Sequence, residues 1–185
     1  MKNAQDILSF WFEETPKKYW FQATAAFDSD IRHRFETTAT ELAAKLSKSA
    51  PHQWEGQAES SLALILALDQ FPRNMYRDTP GAFAWDGLAL GVAGRMVEKG
   101  WDLKIEQSQS AFVYMPFMHT EDKMAQNKCV DLCDSRLEDS NTLHHAKEHR
   151  KVIEKFGRFP HRNTILNRES TEAEKRFLDA GGYSP

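Results

Sequence analysis

Cysteine, valine and isoleucine are scarce in this sequence, and long apolar runs are missing. The two cysteines, Cys129 and Cys133, lie four positions apart in a predicted helix, a spacing more typical of small core residues than of a redox pair or half of a metal site. Five valines and six isoleucines are too few for several buried strands. No run approaches the ~18 apolar residues that would span a bilayer. We therefore expect an all-α, cytoplasmic protein.

A large net charge of either sign is also missing. The 24 Lys and Arg against 27 Asp and Glu give a formal net charge of −3, which offers nucleic acid no basic surface. The sequence contains neither a Gly-rich phosphate loop nor a Ser-centred nucleophile elbow, and His-Glu-x-x-His and paired-cysteine metal motifs do not occur. We expect no nucleic-acid or membrane partner, no cofactor and no bound metal.

The residues that are abundant favour helices. From Ile31 to Leu46, apolar side chains recur in steps of three and four, which places them on one stripe of a helix with Asp28 as its predicted N-cap. Residues 62–68 have no polar face, so this segment is predicted to lie at the centre of the core. The length of 185 residues predicts a single all-helical domain, 1–185.

Capping signals predict the remaining helices. Gly157 is a predicted left-handed C-cap, and Thr171 with Glu174 forms a predicted capping box for the last helix. All seven prolines are expected at helix boundaries, because a proline inside a helix removes a hydrogen bond. The other helices are predicted from Thr79-Pro80 to just before Gly100, and at about 105–115, 120–137 and 141–156.

Three short segments share one pattern, in which an aromatic residue and a proline are followed at once by cationic or hydrogen-bonding side chains. They are residues 69–74 (Asp-Gln-Phe-Pro-Arg-Asn), 114–121 (Tyr-Met-Pro-Phe-Met-His-Thr-Glu) and 157–163 (Gly-Arg-Phe-Pro-His-Arg-Asn). Each is predicted to end a helix, so the polar chemistry is concentrated at helix termini. The candidate ligand-binding residues are Asp69, Arg73, Asn74, His119, Glu121, Arg158, His161, Arg162 and Asn163.

Guanidinium forks and asparagine amides in these segments match carboxylate or phosphate groups. If the three segments converge, they form a polar pocket for a small anionic molecule, with His119 and His161 as candidate acid/base residues. Asp69 directly follows the apolar segment, so its buried charge requires a partner, for which Arg158 or Arg162 is predicted.

Two alternatives stay open. In the first, each arginine caps carbonyls that a proline-terminated helix leaves open, or pairs with Asp69 or Glu121, and the motifs serve only the fold. In the second, the protein is a helical scaffold whose partner is a peptide or another protein. The sequence assigns no reaction, so it leaves open whether the protein is an enzyme.

Two further groups of residues have a structural and a functional interpretation. His145 and His149 are one helical turn apart, as metal ligands can be, but His149 shares a face with Ile153 and is better interpreted as a hydrogen-bonded residue at the edge of the core. The aromatic blocks at residues 10–12 and 19–21 are expected to fix the first helix to the core rather than to stack on a ligand.

Residues 7–12, 68–74, 114–122 and 156–163, together with His149, resemble the bacterial domain of unknown function 924 family. The resemblance covers almost the whole chain, and the string Phe-Gly-Arg-Phe-Pro-His-Arg-Asn is its most specific part. It implies an all-α fold of antiparallel helix pairs, grouped with tetratricopeptide-like superhelices, and it implies no activity. One departure occurs at residues 108–112 (Ser-Gln-Ser-Ala-Phe), where the family tends to place an arginine just ahead of the aromatic residue.

Overall fold

The computed structural model describes residues 2–22, 24–48 and 50–184. Within these ranges the secondary structure is helical and contains no strand, which confirms the predicted all-α class. The α-helices are α1 (Ala4–Leu8), α2 (Ala25–Lys48), α3 (Ala58–Ile65), α4 (Phe71–Met75), α5 (Asp86–Glu98), α6 (Gln107–His119), α7 (Lys123–Arg136), α8 (Ser140–Phe156) and α9 (Glu172–Asp179).

The chain divides into two compact units, residues 1–116 and 117–185. The single domain expected from the length stays a prediction, as does the tetratricopeptide-like arrangement. Among the described helices, none is both long enough and apolar enough to cross a membrane.

The core of the N-terminal unit is built on the apolar segment 62–68. Each of these seven side chains is at most 1% exposed, as the missing polar face predicted. The stripe of α2 from Ile31 to Leu46 is buried as well. The predicted cap of that helix is wrong, because α2 begins before Asp28, and the Thr24 hydroxyl accepts a hydrogen bond from the Phe27 N–H at 3.2 Å.

The aromatic blocks near the N-terminus pack as predicted. Trp11 is fully buried, and its carbonyl accepts a hydrogen bond from the Trp20 indole N–H at 2.8 Å. The ring of Trp20 meets that of Phe112 edge to face, with centroids 5.2 Å apart. These contacts fix the N-terminal segment to its unit, because each ring buries a large apolar area.

The prediction that every proline lies at a helix boundary is wrong at Pro116, and Pro185 lies outside the described residues. A π-helical turn, Leu66–Gln70, joins α3 to α4, and Phe71 donates its N–H to the Leu66 carbonyl five residues earlier. Pro72 therefore occupies the first turn of α4, where its missing N–H costs little. Pro116 lies inside α6, where burial of the flanking residues 112–115 and 117–118 outweighs the proline penalty.

Two predicted helix starts are displaced. Pro80 begins a short 3-10 helix, Pro80–Phe83, and α5 starts only at Asp86. The helix predicted from Thr120 starts at Lys123, because Asp122 is the N-cap and its carboxylate accepts a hydrogen bond from a backbone N–H at 2.8 Å.

In the C-terminal unit, α7 packs against α8, and its two cysteines are buried and form no disulfide, as predicted for core residues. Gly157 ends α8 with φ at 71°, and the predicted capping box of Thr171 and Glu174 opens α9. Val152, Ile153 and Phe159 form an apolar cluster, against which Phe156, Phe177 and Tyr183 pack. The segment 157–163 therefore starts from a firmly packed helix end.

The central position of the segment 62–68 generates a stability prediction. Replacing Leu66 by Ala should lower the free energy of unfolding by about 2 to 5 kcal/mol, because apolar contacts are lost and a cavity is left. Denaturant titration measures this difference.

Leu103→Ala is the matched control, because Leu103 is 63% exposed and its truncation should change the free energy of unfolding little. A loss below about 1 kcal/mol for Leu66→Ala would contradict the central position of this segment.

Candidate functional site

The first motif forms an ion-pair cluster within the N-terminal unit. Asp69 is fully buried, and Arg73 Nη1 lies 3.3 Å from its Oδ1 atom. The same guanidinium donates to both carboxylate oxygens of Asp86, at 3.0 and 3.1 Å. The sequence analysis missed Asp86, whose position thirteen residues from Arg73 carries no local signal. These contacts support a structural role for Arg73.

Side chains of this motif also satisfy backbone carbonyls beside the π-helical turn. Arg73 Nη1 donates to the Asp69 carbonyl at 2.6 Å, and the Asn74 amide donates to the Gln70 carbonyl at 3.0 Å. Asn74 in turn accepts from Arg77 at 3.2 Å. The predicted pairing of Asp69 with Arg158 or Arg162, and the convergence of the three segments, stay predictions.

Glu121 joins two segments of the C-terminal unit. Its carboxylate accepts two hydrogen bonds from Arg168, at 2.6 and 2.9 Å, and a third from the Phe159 N–H at 2.8 Å. Burial raises the pKa of Glu121, but the bonds from Arg168 and Phe159 lower it further, so its pKa lies below the ordinary value. Arg168, which the sequence analysis missed, is the main partner of this carboxylate.

Arg158 holds the last helix. Its Nε and Nη2 atoms donate to the two carboxylate oxygens of Glu174 at 2.7 and 2.9 Å, and Nη2 also donates to the Glu169 carbonyl. Hydrogen bonds from Arg158 and from Thr171 lower the pKa of Glu174 to about 2 despite its burial. The structure thus supports the structural alternative for Arg158.

Arg162 is held rigidly beside Phe159. Its side chain lies in the short 3-10 helix Pro160–Arg162, the residue is only 5% exposed, and the guanidinium carbon lies 4.5 Å from the centroid of the Phe159 ring. The Nη1 atom donates to the His119 carbonyl at 3.0 Å. His161 contacts the same aromatic ring, with centroids 5.6 Å apart. Two predicted site residues therefore contact Phe159, and a third, His119, is joined to them through its carbonyl.

His149 joins this group from α8. Its ring centroid lies 5.5 Å from that of Phe159 and 6.2 Å from that of His119. The residue is 3% exposed and its Nδ1 atom lies 2.8 Å from the His145 carbonyl, which confirms a hydrogen-bonded core position. The sequence did not indicate that His149 contacts the third motif. We call His119, His149, His161, Phe159 and Arg162 the imidazole cluster.

Several polar atoms in and beside the imidazole cluster are buried without a hydrogen-bond partner in the described part of the chain. They are His149 Nε2, His161 Nδ1 and Asn163 Oδ1. Asn163 is 1% exposed, and its amide nitrogen donates to the Ser170 hydroxyl at 3.0 Å. Because buried polar groups are nearly always hydrogen-bonded, three such atoms close to one motif mark a place where a polar ligand would gain partners.

Burial and neighbouring groups lower the pKa values of two histidines of the cluster. Burial, followed by the neighbouring His119 and Arg162, lowers the pKa of His149 to about 3. Burial and then the charge of Arg162 lower the pKa of His161 to about 4. Both rings are therefore neutral at pH 7. The charge of Arg162 lowers both pKa values, whereas that of Glu121 raises the pKa of His161.

These features belong to an all-α protein with a buried imidazole and arginine cluster. The model of the family described as bacterial protein of unknown function (DUF924) matches residues 7–182, and the chain belongs to this family. A solved structure of a protein of unknown function from Agrobacterium tumefaciens is similar, with 43% identity, a TM-score of 0.87, and coverage of 96% of this chain and 97% of that one. A search of curated proteins finds no match. The comparisons establish the family and the fold, and they name no activity.

The two lowered histidine pKa values generate a prediction about acid stability. An unfolded histidine has a pKa near 6.5, so between that value and about 4 the unfolded state binds more protons than the folded state. The stabilising contribution of the two neutral rings should be complete above about pH 6.5. Below that pH the free energy of unfolding should fall, by at most about 1.4 kcal/mol per pH unit for each ring. Denaturant titrations from pH 7.5 to 4 measure this slope.

His149→Gln should reduce that slope, because a side chain that does not titrate replaces one of the two rings. His33→Gln, which changes an exposed histidine of α2, should retain the wild-type slope. Equal slopes in wild type and His149→Gln would show that His149 is not held neutral by its surroundings.

Proposed function

We propose that the protein binds a small molecule bearing a carboxylate or a phosphate at the imidazole cluster of its C-terminal unit. One observation carries the proposal. His149 and Asn163 are both more than nine-tenths buried, and each has a polar atom without a partner among the described residues, while Arg162 lies against the same Phe159 ring as His149. Such a combination of buried charge and unused hydrogen-bonding capacity is typical of ligand sites.

Arg162 is the proposed contact to the anion. A guanidinium forms two parallel hydrogen bonds to a carboxylate or phosphate, which gives both energy and orientation. The Phe159 ring and the His119 carbonyl support this side chain from within the same unit, so little rotamer freedom remains to be lost on binding. The charge of Arg162, which contributes to the lowered pKa values of His149 and His161, supports an anion rather than a cation as the ligand.

The proposal narrows the set of residues predicted from the sequence. It retains His119, His161, Arg162 and Asn163 and adds His149. The remaining candidates, Asp69, Arg73, Asn74, Glu121 and Arg158, have ion pairs or hydrogen bonds within their own units that support a structural role. A cytoplasmic location and a tetratricopeptide-like superhelix are finer parts of the same proposal. No reaction is assigned.

Replacing Arg162 by Lys tests the proposal. Lysine keeps the positive charge but removes the planar fork, so affinity for phosphate or a dicarboxylate should fall by about 10-fold or more. Isothermal titration calorimetry at low salt measures both affinities, and thermal unfolding checks that the variant is folded.

Arg32→Lys is the matched control, because Arg32 is exposed, lies in the N-terminal unit and pairs along α2 with Glu36 at 3.3 Å. This variant should bind anions as the wild type does. If no anion gives a saturable heat, or if Arg162→Lys binds as tightly as wild type, the motif serves only the fold.

A further inference from the structure

A histidine side chain caps the short 3-10 helix Gln53–Gly56 of the N-terminal unit. The Nδ1 atom of His52 lies 3.2 Å from the backbone nitrogen of Trp54. A backbone N–H can only donate a hydrogen bond, so Nδ1 is the acceptor and carries no proton. The usual capping side chains keep their acceptor oxygen between pH 5 and 8, whereas histidine changes its charge in that range. Acid can therefore remove this cap.

A charged ring cannot form the cap in any orientation. Charged imidazole has a proton on both nitrogens, so each nitrogen would meet the Trp54 N–H as a second donor. His52 is only 9% exposed, and its ring meets that of Trp54 edge to face, with centroids 6.0 Å apart. Protonation therefore breaks the bond to Trp54 and adds a charge to a nearly buried ring.

Charged groups from two helices act on the ring or on its neighbour. Burial lowers the pKa of His52, and the charge of Lys45 on α2 lowers it further, whereas the charge of Glu55 raises it. Arg95 of α5 partly offsets Glu55, because its Nε and Nη2 atoms donate to that carboxylate at 2.6 and 3.0 Å. The net effect places the pKa of His52 below its ordinary value of 6.5, so the cap is complete above that pH and is lost as the pH falls.

Loss of the cap releases only one end of this helix. At the other end, Arg95 binds the Glu55 carboxylate, and Lys99 donates to the Glu55 carbonyl at 2.9 Å. The neighbouring core segment 62–65 is at most 1% exposed and receives no hydrogen bond from His52. The opening is thus confined to the residues next to the cap.

We infer that His52 is a pH-sensitive switch, in which protonation of the imidazole opens the start of the 3-10 helix Gln53–Gly56 while the core of the N-terminal unit stays folded. One proton is taken up, at Nδ1, and the Trp54 N–H turns to solvent. The switch lies in the N-terminal unit and is independent of the anion site proposed for the C-terminal unit.

Amide hydrogen exchange followed by NMR tests the switch. The protection factor of the Trp54 amide compares its exchange rate with that of an unstructured peptide at the same pH. In wild type this factor should fall about 5-fold or more between pH 7.5 and 4.5, as expected for the loss of an N-cap. The amides of residues 62–65 report on the core in the same experiment.

His52→Asn is the matched variant, because asparagine caps helices well and does not titrate. Its Trp54 protection factor should be the same at both pH values, while residues 62–65 should respond to pH as in wild type. His33→Asn changes an exposed histidine of α2 and should retain the full wild-type response at Trp54. A fall at Trp54 that persists in His52→Asn, or a change in the core response as large as that at Trp54, would overturn the switch.

The ring nitrogens of His52 provide a second measurement on the wild-type protein. Their ¹⁵N chemical shifts should show an unprotonated Nδ1 at pH 7.5, and the midpoint of the ring titration should coincide with the fall in Trp54 protection. A proton on Nδ1 at pH 7.5, or two different midpoints, would show that the imidazole does not control the opening.

Discussion

Backbone carbonyls at helix ends and interrupted helices must find donors inside an apolar protein, and much of this structure depends on that constraint. An unsatisfied buried carbonyl costs about 1 to 3 kcal/mol, a large share of the net stability of a small protein. Side chains meet this need at several points. Arg73 donates to the Asp69 carbonyl, Gln126 donates to the carbonyls of Met118 and Thr120, and Arg162 and Arg168 donate to those of His119 and Phe159.

This constraint explains why the polar motifs both stabilise the fold and resemble a ligand-binding site. A long donor side chain that satisfies a carbonyl is fixed in place, and a fixed guanidinium near a helix end is also suited to recognise an anion. Arg73 and Arg158 are paired with buried carboxylates, Asp69 and Glu174, that offset their charge. Arg162 donates to the His119 carbonyl and lies over the Phe159 ring, and its charge lowers the pKa values of Glu121, His149 and His161. We restrict the ligand-binding proposal to Arg162, because it lies against the same aromatic ring as His149 and His161.

The sequence predicts those parts of the structure that depend on local spacing. The stripe of α2, the apolar segment 62–68, the left-handed Gly157 and the capping box of α9 each follow from residues within a few turns of one another. The helix through Pro116 was missed, because burial on both sides outweighs the local proline penalty. The π-helical turn before Pro72 was missed for a related reason, since it depends on how the preceding carbonyls are satisfied.

The candidate site shows the same division between local and distant information. The motif 157–163 identified Arg162, His161 and Asn163, but their neighbours His149 and Arg168 are brought in by packing, from α8 and from the segment after the motif. No spacing rule links an imidazole to an aromatic ring ten residues later. Only the three-dimensional arrangement reveals that a histidine fixed by its own helix carbonyl lies against the same aromatic ring as Arg162.

The buried Nε2 atom of His149 affects both the stability of the fold and the proposed binding. A histidine that is kept neutral by burial, with one nitrogen satisfied by a carbonyl and the other unpartnered in the described residues, is less stable than an apolar side chain of similar shape would be. A ligand that donates a hydrogen bond to Nε2 would recover this cost, so it would stabilise the fold and gain affinity through the same contact.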